Sequence, residues 1–172
     1  IHFNMEPITG VIEGLFSGPM EGIPDGFSLP KQSVSSAVVN SSGIDGDSNK
    51  FRYNKKKGDP DMAILLLTIA ELEELKLRGF SIQPGDFGEN ILLKDIHFSD
   101  LMPDVILNIG SEVVLQVSRI CDPCSKLSQL PKIGKTHIKQ LLQESNGLRG
   151  WYARILQGGT IAPGEKVILS QT

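Results

Sequence analysis

A chain of 172 residues with a net charge of −3 and 40% apolar residues is long enough to bury a core without disulfide staples, and its charge gives no general case for nucleic acid or a membrane surface as partner. Two cysteines do not make a secreted disulfide framework, and Ile1-His2-Phe3-Asn4-Met5-Glu6-Pro7 contains no apolar run of signal or membrane length, so a soluble, cytoplasmic setting is expected. Eighteen glycines and ten prolines among short β-branched runs favour a mainly β fold with a few short helices over a helical bundle.

Residues 1–9 stay outside the fold argument, and 10–172 read as a single domain. The run 11–16 predicts a first strand and 34–40 a second, followed by a turn at 43–49, where Gly, Asp and Asn tolerate positive φ. Lys50, Arg52, Lys55, Lys56 and Lys57, interleaved with Phe51 and Tyr53, read either as a surface or flap for an anionic ligand or as a solvated loop. Residues 62–67 are apolar enough for a strand buried on both faces. Thr68-Ile69-Ala70-Glu71 is a capping box, which predicts a helix over 69–78 ended by Gly79, with Leu72, Leu75 and Leu77 turned to the core.

Pro84-Gly85-Asp86-Phe87-Gly88-Glu89-Asn90 is a glycine-punctuated loop leading into a strand at 91–93. It lacks the spacing of a Rossmann or P-loop motif, and its glycines allow close approach by another segment or a ligand. Asp86 and Glu89 read as turn and loop residues rather than as an acid and base pair. Strands are expected at 105–108 and 113–117, a short helix from Pro123, and a longer one at 136–145 that places His137 on the surface. Strands at 150–156 and 166–169 close the chain around a turn at 162–165.

The chemistry concentrates in Ser118-Arg119-Ile120-Cys121-Asp122-Pro123-Cys124-Ser125-Lys126-Leu127. A thiolate binds soft metals and can carry sulfur as a persulfide, given access and a lowered pKa. Arg119, Lys126 and the amides after Pro123 are the candidate sources of that activation. The competing reading makes both cysteines small buried hydrophobes. A dithiol redox motif fits poorly so late in a strand-rich chain, and a structural zinc lacks ligands beyond His2, His97 and His137.

Gly43-Ile44-Asp45-Gly46-Asp47, Gly85 to Ile91, the Cys124 segment, and Gly150-Trp151-Tyr152-Ala153-Arg154-Ile155 with Gly159 and Gly164 follow one another in an order that resembles the MOSC domain family. The family is named for the C-terminal domain of molybdenum cofactor sulfurases, and the likeness is to its stand-alone members. It implies a closed, MOSC-like β-barrel of mixed strands. It also implies that Cys124 is the sulfur carrier or, in a molybdenum-cofactor-binding relative, the metal ligand, with Asn90 in the pocket. Gly88, Glu89, Arg119, Lys126 and Arg154 are the further cofactor-binding candidates, and Lys55 to Lys57 or Arg149 would help hold an anionic ligand or partner.

Where many relatives have a basic residue three positions before the cysteine, this chain has Cys121, a candidate resolving thiol. The implied partners are a cysteine desulfurase, which would bring pyridoxal phosphate, and a metal-sulfur or molybdenum acceptor. Three functions stay open: sulfur transfer, molybdenum-cofactor-dependent reduction of N-hydroxylated compounds, and a non-catalytic interaction barrel.

Overall fold

The computed structural model describes residues 6–19, 28–47 and 58–171, with the Pro19 side chain excepted. The basic stretch at 50–57 lies outside the described residues, as does the end of the expected 43–49 turn. The strands are β1 (Thr9–Pro19), β2 (Lys31–Val34), β3 (Ala37–Asn40), β4 (Gly43–Ile44), β5 (Ile64–Thr68), β6 (Ile91–Lys94), β7 (Ile106–Ile109), β8 (Val113–Ile120), β9 (Trp151–Gln157), β10 (Gly159–Ile161) and β11 (Lys166–Ser170). The α-helices are α1 (Ile69–Leu77) and α2 (Gly134–Glu144).

Seven strands close into a mixed barrel in the order β1-β11-β7-β8-β9-β5-β6 and back to β1. The eleven-residue β1 makes closure possible by pairing with three neighbours along its length: β11 at Thr9 to Val11, β6 at Val11 to Leu15, and β2 at Leu15 to Pro19. Only β5 and β6 within the barrel run parallel, and a parallel pair needs a crossover, which α1 provides. A separate three-stranded sheet joins β10, β3 and β4.

All five residues of β5 are buried, because the strand has a core on each side. Ile64 and Leu66 point into the barrel with Ile91 and Leu93, whereas Leu67 and Leu92 point outward to a second cluster with Phe87, Leu127, Leu130 and Leu141. That split is the two-residue period of a strand read on both faces. The second cluster is what fastens α1, α2 and the Cys124 segment to the barrel wall.

The expected capping box is present, with Glu71 N–H donating to Thr68 Oγ1 at 3.2 Å and Thr68 N–H donating to Glu71 Oε1 at 3.0 Å. Leu75 is buried and Leu72 packs against the outer cluster, but Leu77 is 84% exposed, being on the wrong side of the helix for the barrel. Other expectations shift in detail. The run 34–40 breaks into β2 and β3 at a bend, and Met62 belongs to a 3-10 turn (Pro60–Met62). Strand β10 was not expected, since three residues leave almost no periodic signal. Among the described residues no helix is long and apolar enough to cross a membrane.

Candidate functional site

β8 stays in the sheet through Ile120, and the Cys121 N–H then donates to Gly150 O at 2.9 Å, at the entry to β9. This pairing holds Cys121 in the wall, 4% exposed. Asp122 and Pro123 carry the chain off the sheet, and Cys124 emerges exposed at the start of a 3-10 turn (Ser125–Gln129). The short helix expected from Pro123 is this tighter turn. Cys124 occupies its cap position and makes no side-chain cap hydrogen bond, so activation of the sulfur by helix amides, as anticipated from Pro123, is not what the turn provides.

Both cysteines line a cleft of about 370 Å³. Arg119 and Lys126 line it from the same segment, Gly88 and Asn90 from the glycine loop, and Arg149 and Tyr152 from the entry to β9. Lys31 at the start of β2 completes the cationic lining, to which Asp122 contributes the acidic group. The sequence reading missed Lys31, a single lysine outside any basic run. It missed Tyr152 as a lining residue too, although strand alternation with buried Ala153 places both Tyr152 and Arg154 on the outer face.

Asn90 is less a free ligand than a clip. Its Oδ1 accepts from Leu65 N–H at 3.0 Å, and its Nδ2 donates to Phe16 O at 3.3 Å and Asp47 Oδ2 at 3.0 Å. It thereby ties β1, β5 and the 43–47 turn together at the edge of the cleft. Asp47 also pairs with Lys31 at 3.0 Å, both side chains being largely buried. Burial pushes the Asp47 carboxyl up, but Lys31, the Gly18 amide and the Asn90 amide outweigh it and hold the carboxyl below its usual range. Gly85 shows what the loop glycines are for: at φ +92° its N–H donates to Glu89 Oε2, its O accepts from Lys31 N–H, and a Cβ would meet Lys31 O at 2.6 Å.

Glu89 lies behind the lining, fully buried, with Oε2 bound to Gly85 N–H at 2.9 Å and Oε1 without a hydrogen-bond partner among the described residues. Burial raises its pKa, while the Gly85 and Glu89 amides and the charges of Arg149 and Lys31 act the other way. Asp86 caps its own turn through Gln83 N–H at 2.7 Å and pairs with Lys132, consistent with a loop role. Arg154 is not brought to the cleft. One pleat beyond Tyr152, it is engaged by Asp61 at 2.8 Å and Gln116 at 2.9 Å. Arg119 lines the cleft and also bonds Asp59 at 2.6 Å.

Arg149 differs from all of these. It is 5% exposed, stacks on Phe87, and its Nε and Nη1 are buried with no hydrogen-bond partner among the described residues. Its charge also acts on Cys121 and Tyr152. Burial pushes the Cys121 thiol up, with Arg149 and a hydrogen bond from Tyr152 opposing it, and burial together with Cys121 pushes the Tyr152 hydroxyl up. Cys121 is therefore a thiol at neutral pH, and the accessible sulfur of the pair is that of Cys124.

A closed mixed barrel carrying an exposed cysteine at the mouth of a cation-lined cleft defines the class of protein. The MOSC domain model matches residues 53–168, and this chain belongs to the MOSC domain family. Solved structures of the same fold include the YuaD protein from Bacillus subtilis, 16% identical with a TM-score of 0.78 over 97% of this chain and 98% of that one. YiiM from Geobacillus stearothermophilus is 26% identical with a TM-score of 0.66 over 94% of this chain and 75% of its own. YiiM from Escherichia coli is 21% identical with a TM-score of 0.67 over 96% and 71%. No curated protein sequence matches the chain.

Proposed function

We propose that this MOSC module accepts persulfide sulfur on Cys124 and holds molybdenum cofactor, the acceptor of that sulfur, in the adjoining cleft. The observation that carries the reading is an exposed cysteine beside a cleft that buries Arg149 with two unpartnered nitrogens. A buried guanidinium lacking acceptors favours an anionic occupant, since an unsatisfied charged donor is costly. The residues fit the cofactor. Cys124 suits a soft metal, and Arg149 suits a phosphate. When bound, the cofactor supplies a redox-active molybdenum centre able to take a sulfur ligand.

In the loading step the Cys124 thiolate attacks the outer sulfur of a donor persulfide. A new S–S bond forms on Cys124, the donor's S–S bond breaks, and the donor leaves as a thiolate. Cys121 stays out of this step because burial keeps it protonated. In an unloading step the Cys121 thiol gives its proton to the outer sulfur of the Cys124 persulfide as its own sulfur attacks Cys124 Sγ, and the outer sulfur leaves as hydrosulfide. The two cysteines are oxidised to a disulfide as that sulfur is reduced, and a thiol reductant restores them. The donor is a pyridoxal-phosphate-dependent cysteine desulfurase in the cytoplasm, a separate protein.

A second reading, in which the cofactor stays resident and reduces N-hydroxylated compounds, is favoured by the cleft's 370 Å³, a volume typical of small-molecule sites. Intact mass measurement after incubation with a cysteine desulfurase, cysteine and pyridoxal phosphate separates the two. A sulfur adduct abolished by Cys124→Ser but not by Cys121→Ser is the expected result. No adduct, with molybdenum co-purifying on the native chain, would transfer the proposal to the reductase.

A further inference from the structure

We propose that the outer face of the Cys124 turn and α2 is a docking surface for an acidic sulfur-donor protein, an inference that rests on the sulfur-accepting reading of Cys124. Residues 123–143 contain four lysines, Lys126, Lys132, Lys135 and Lys139, and no aspartate or glutamate, within a chain of net charge −3; the flanking acids are Asp122 and, at the far end of α2, Glu144, which lies 4.0 Å from Arg78. Folding sorts this segment into two sides. Leu127, Leu130, Ile133 and Leu141 are buried in the outer cluster, so the polar remainder is turned away from the barrel. Lys132, Lys135, His137 and Lys139 are exposed, and the segment begins beside exposed Cys124.

Two of these four charges do not serve the fold. Lys132 pairs with Asp86, but Lys135 and Lys139, one turn apart on the same helix face, form no ion pair with the described residues. Lys135 stands in the first turn of α2, which has no acidic residue and no side-chain cap, where the helix's own partial positive charge disfavours a cation. Persulfide hand-off requires the two sulfur atoms to meet, so a donor must press its surface against the surroundings of Cys124. Complementary charge at that contact raises the encounter rate. Carboxylates around the donor's persulfide are the matching surface.

The test compares the native chain with Lys135→Glu/Lys139→Glu and Lys135→Gln/Lys139→Gln, following sulfur addition to Cys124 by mass. Persulfide-loaded cysteine desulfurase from the same organism is one donor, and inorganic polysulfide, which needs no docking, is the other. The expected result is loading from the desulfurase slowed about tenfold or more by charge reversal and less by the glutamine pair, with the difference erased at about 0.5 M salt. Polysulfide loading stays at the native rate, which also verifies that the variants are folded. Equal desulfurase rates for all three chains, with sulfur still accepted, would overturn the docking face alone. No adduct on the native chain from either donor would overturn the sulfur-accepting reading and the docking face with it. Equal desulfurase rates combined with binding of the native chain, but not the reversed variant, to duplex DNA or phosphatidylserine vesicles would overturn the donor-docking assignment and give the face to that partner.

Discussion

Arg149 lies over the ring of Phe87, its guanidinium carbon 4.7 Å from the ring centroid, and in that position Nε and Nη1 meet no acceptor among the described residues. The stacking holds the guanidinium at the cleft through its face and leaves those two N–H groups unused, which is a ready arrangement for an anionic ligand. Hydrogen bonds to charged groups contribute roughly 1.5–3 kcal/mol. Arg149→Met is therefore expected to weaken retention of a phosphate-bearing cofactor about 10- to 100-fold. Arg149→Lys should recover only part, because lysine lacks the planar fork. Molybdenum and pterin content of the purified variants checks this.

The two cysteines should separate cleanly by reactivity. Cys124 is exposed whereas Cys121 is 4% exposed with its thiol pKa raised by burial. Iodoacetamide should label Cys124 alone in the native protein and both cysteines after denaturation. Peptide mapping reads the outcome, and prompt labelling of Cys121 in the folded chain would contradict the burial that keeps it out of the loading step.

Stability should fall as the solution is brought from mildly acidic to neutral pH. Burial pushes Glu71 from 4.5 up to about 7, even though the Thr68 and Gly150 groups and the Arg149 charge oppose the shift. Between about 4.5 and 7 the folded protein holds a proton there that the unfolded chain has released. The contribution of this carboxyl is thus complete at the acidic end, is lost as pH rises through that window, and is level above it. The size is on the order of 3 kcal/mol. Denaturant unfolding at a series of pH values should show the slope, and Glu71→Gln should flatten it, leaving Glu89 to act with the same sign.

Gly150 connects this buried acid to the cysteine wall. Its N–H donates to Glu71 Oε2 at 2.9 Å, its O accepts from Cys121 N–H, and at φ +97° a Cβ would meet Leu66 O at 2.3 Å. Gly150→Ala should cost more than about 1 kcal/mol of stability, from backbone strain and the clash together. Because Arg149 and Cys121 hang on the same junction, the variant should also lose cofactor retention and expose Cys121 to iodoacetamide at native pH.

What could be read along the chain is what depends on neighbours in sequence. The capping box of Thr68 and Glu71 closes within three residues, so its start signal for α1 is visible in the string itself. The same holds for the apolar runs that became β5, β7, β8 and β11, whose periodicity is a local property. Cys124 stood out as one of only two thiols, in a segment whose pattern resembles the MOSC domain family.

Tertiary structure decided the remainder, because each remaining feature joins residues far apart in the chain. Pairing of β1 with β11 closes the barrel across more than 150 residues, and nothing local to Thr9 announces Ile168 as its partner. Leu77 has the same composition signal as Leu75, yet only the position of the barrel wall makes one buried and the other solvent-facing. Glu71 was legible as a cap, but the buried carboxyl holding Gly150 exists only once β9 is laid beside β5. Arg149 and Arg154 are alike in sequence. Asp61 and Gln116 engage Arg154, whereas Arg149 is buried on Phe87 with Nε and Nη1 free of hydrogen bonds from the described residues, so burial and available acceptors, not residue type, set the two arginines apart.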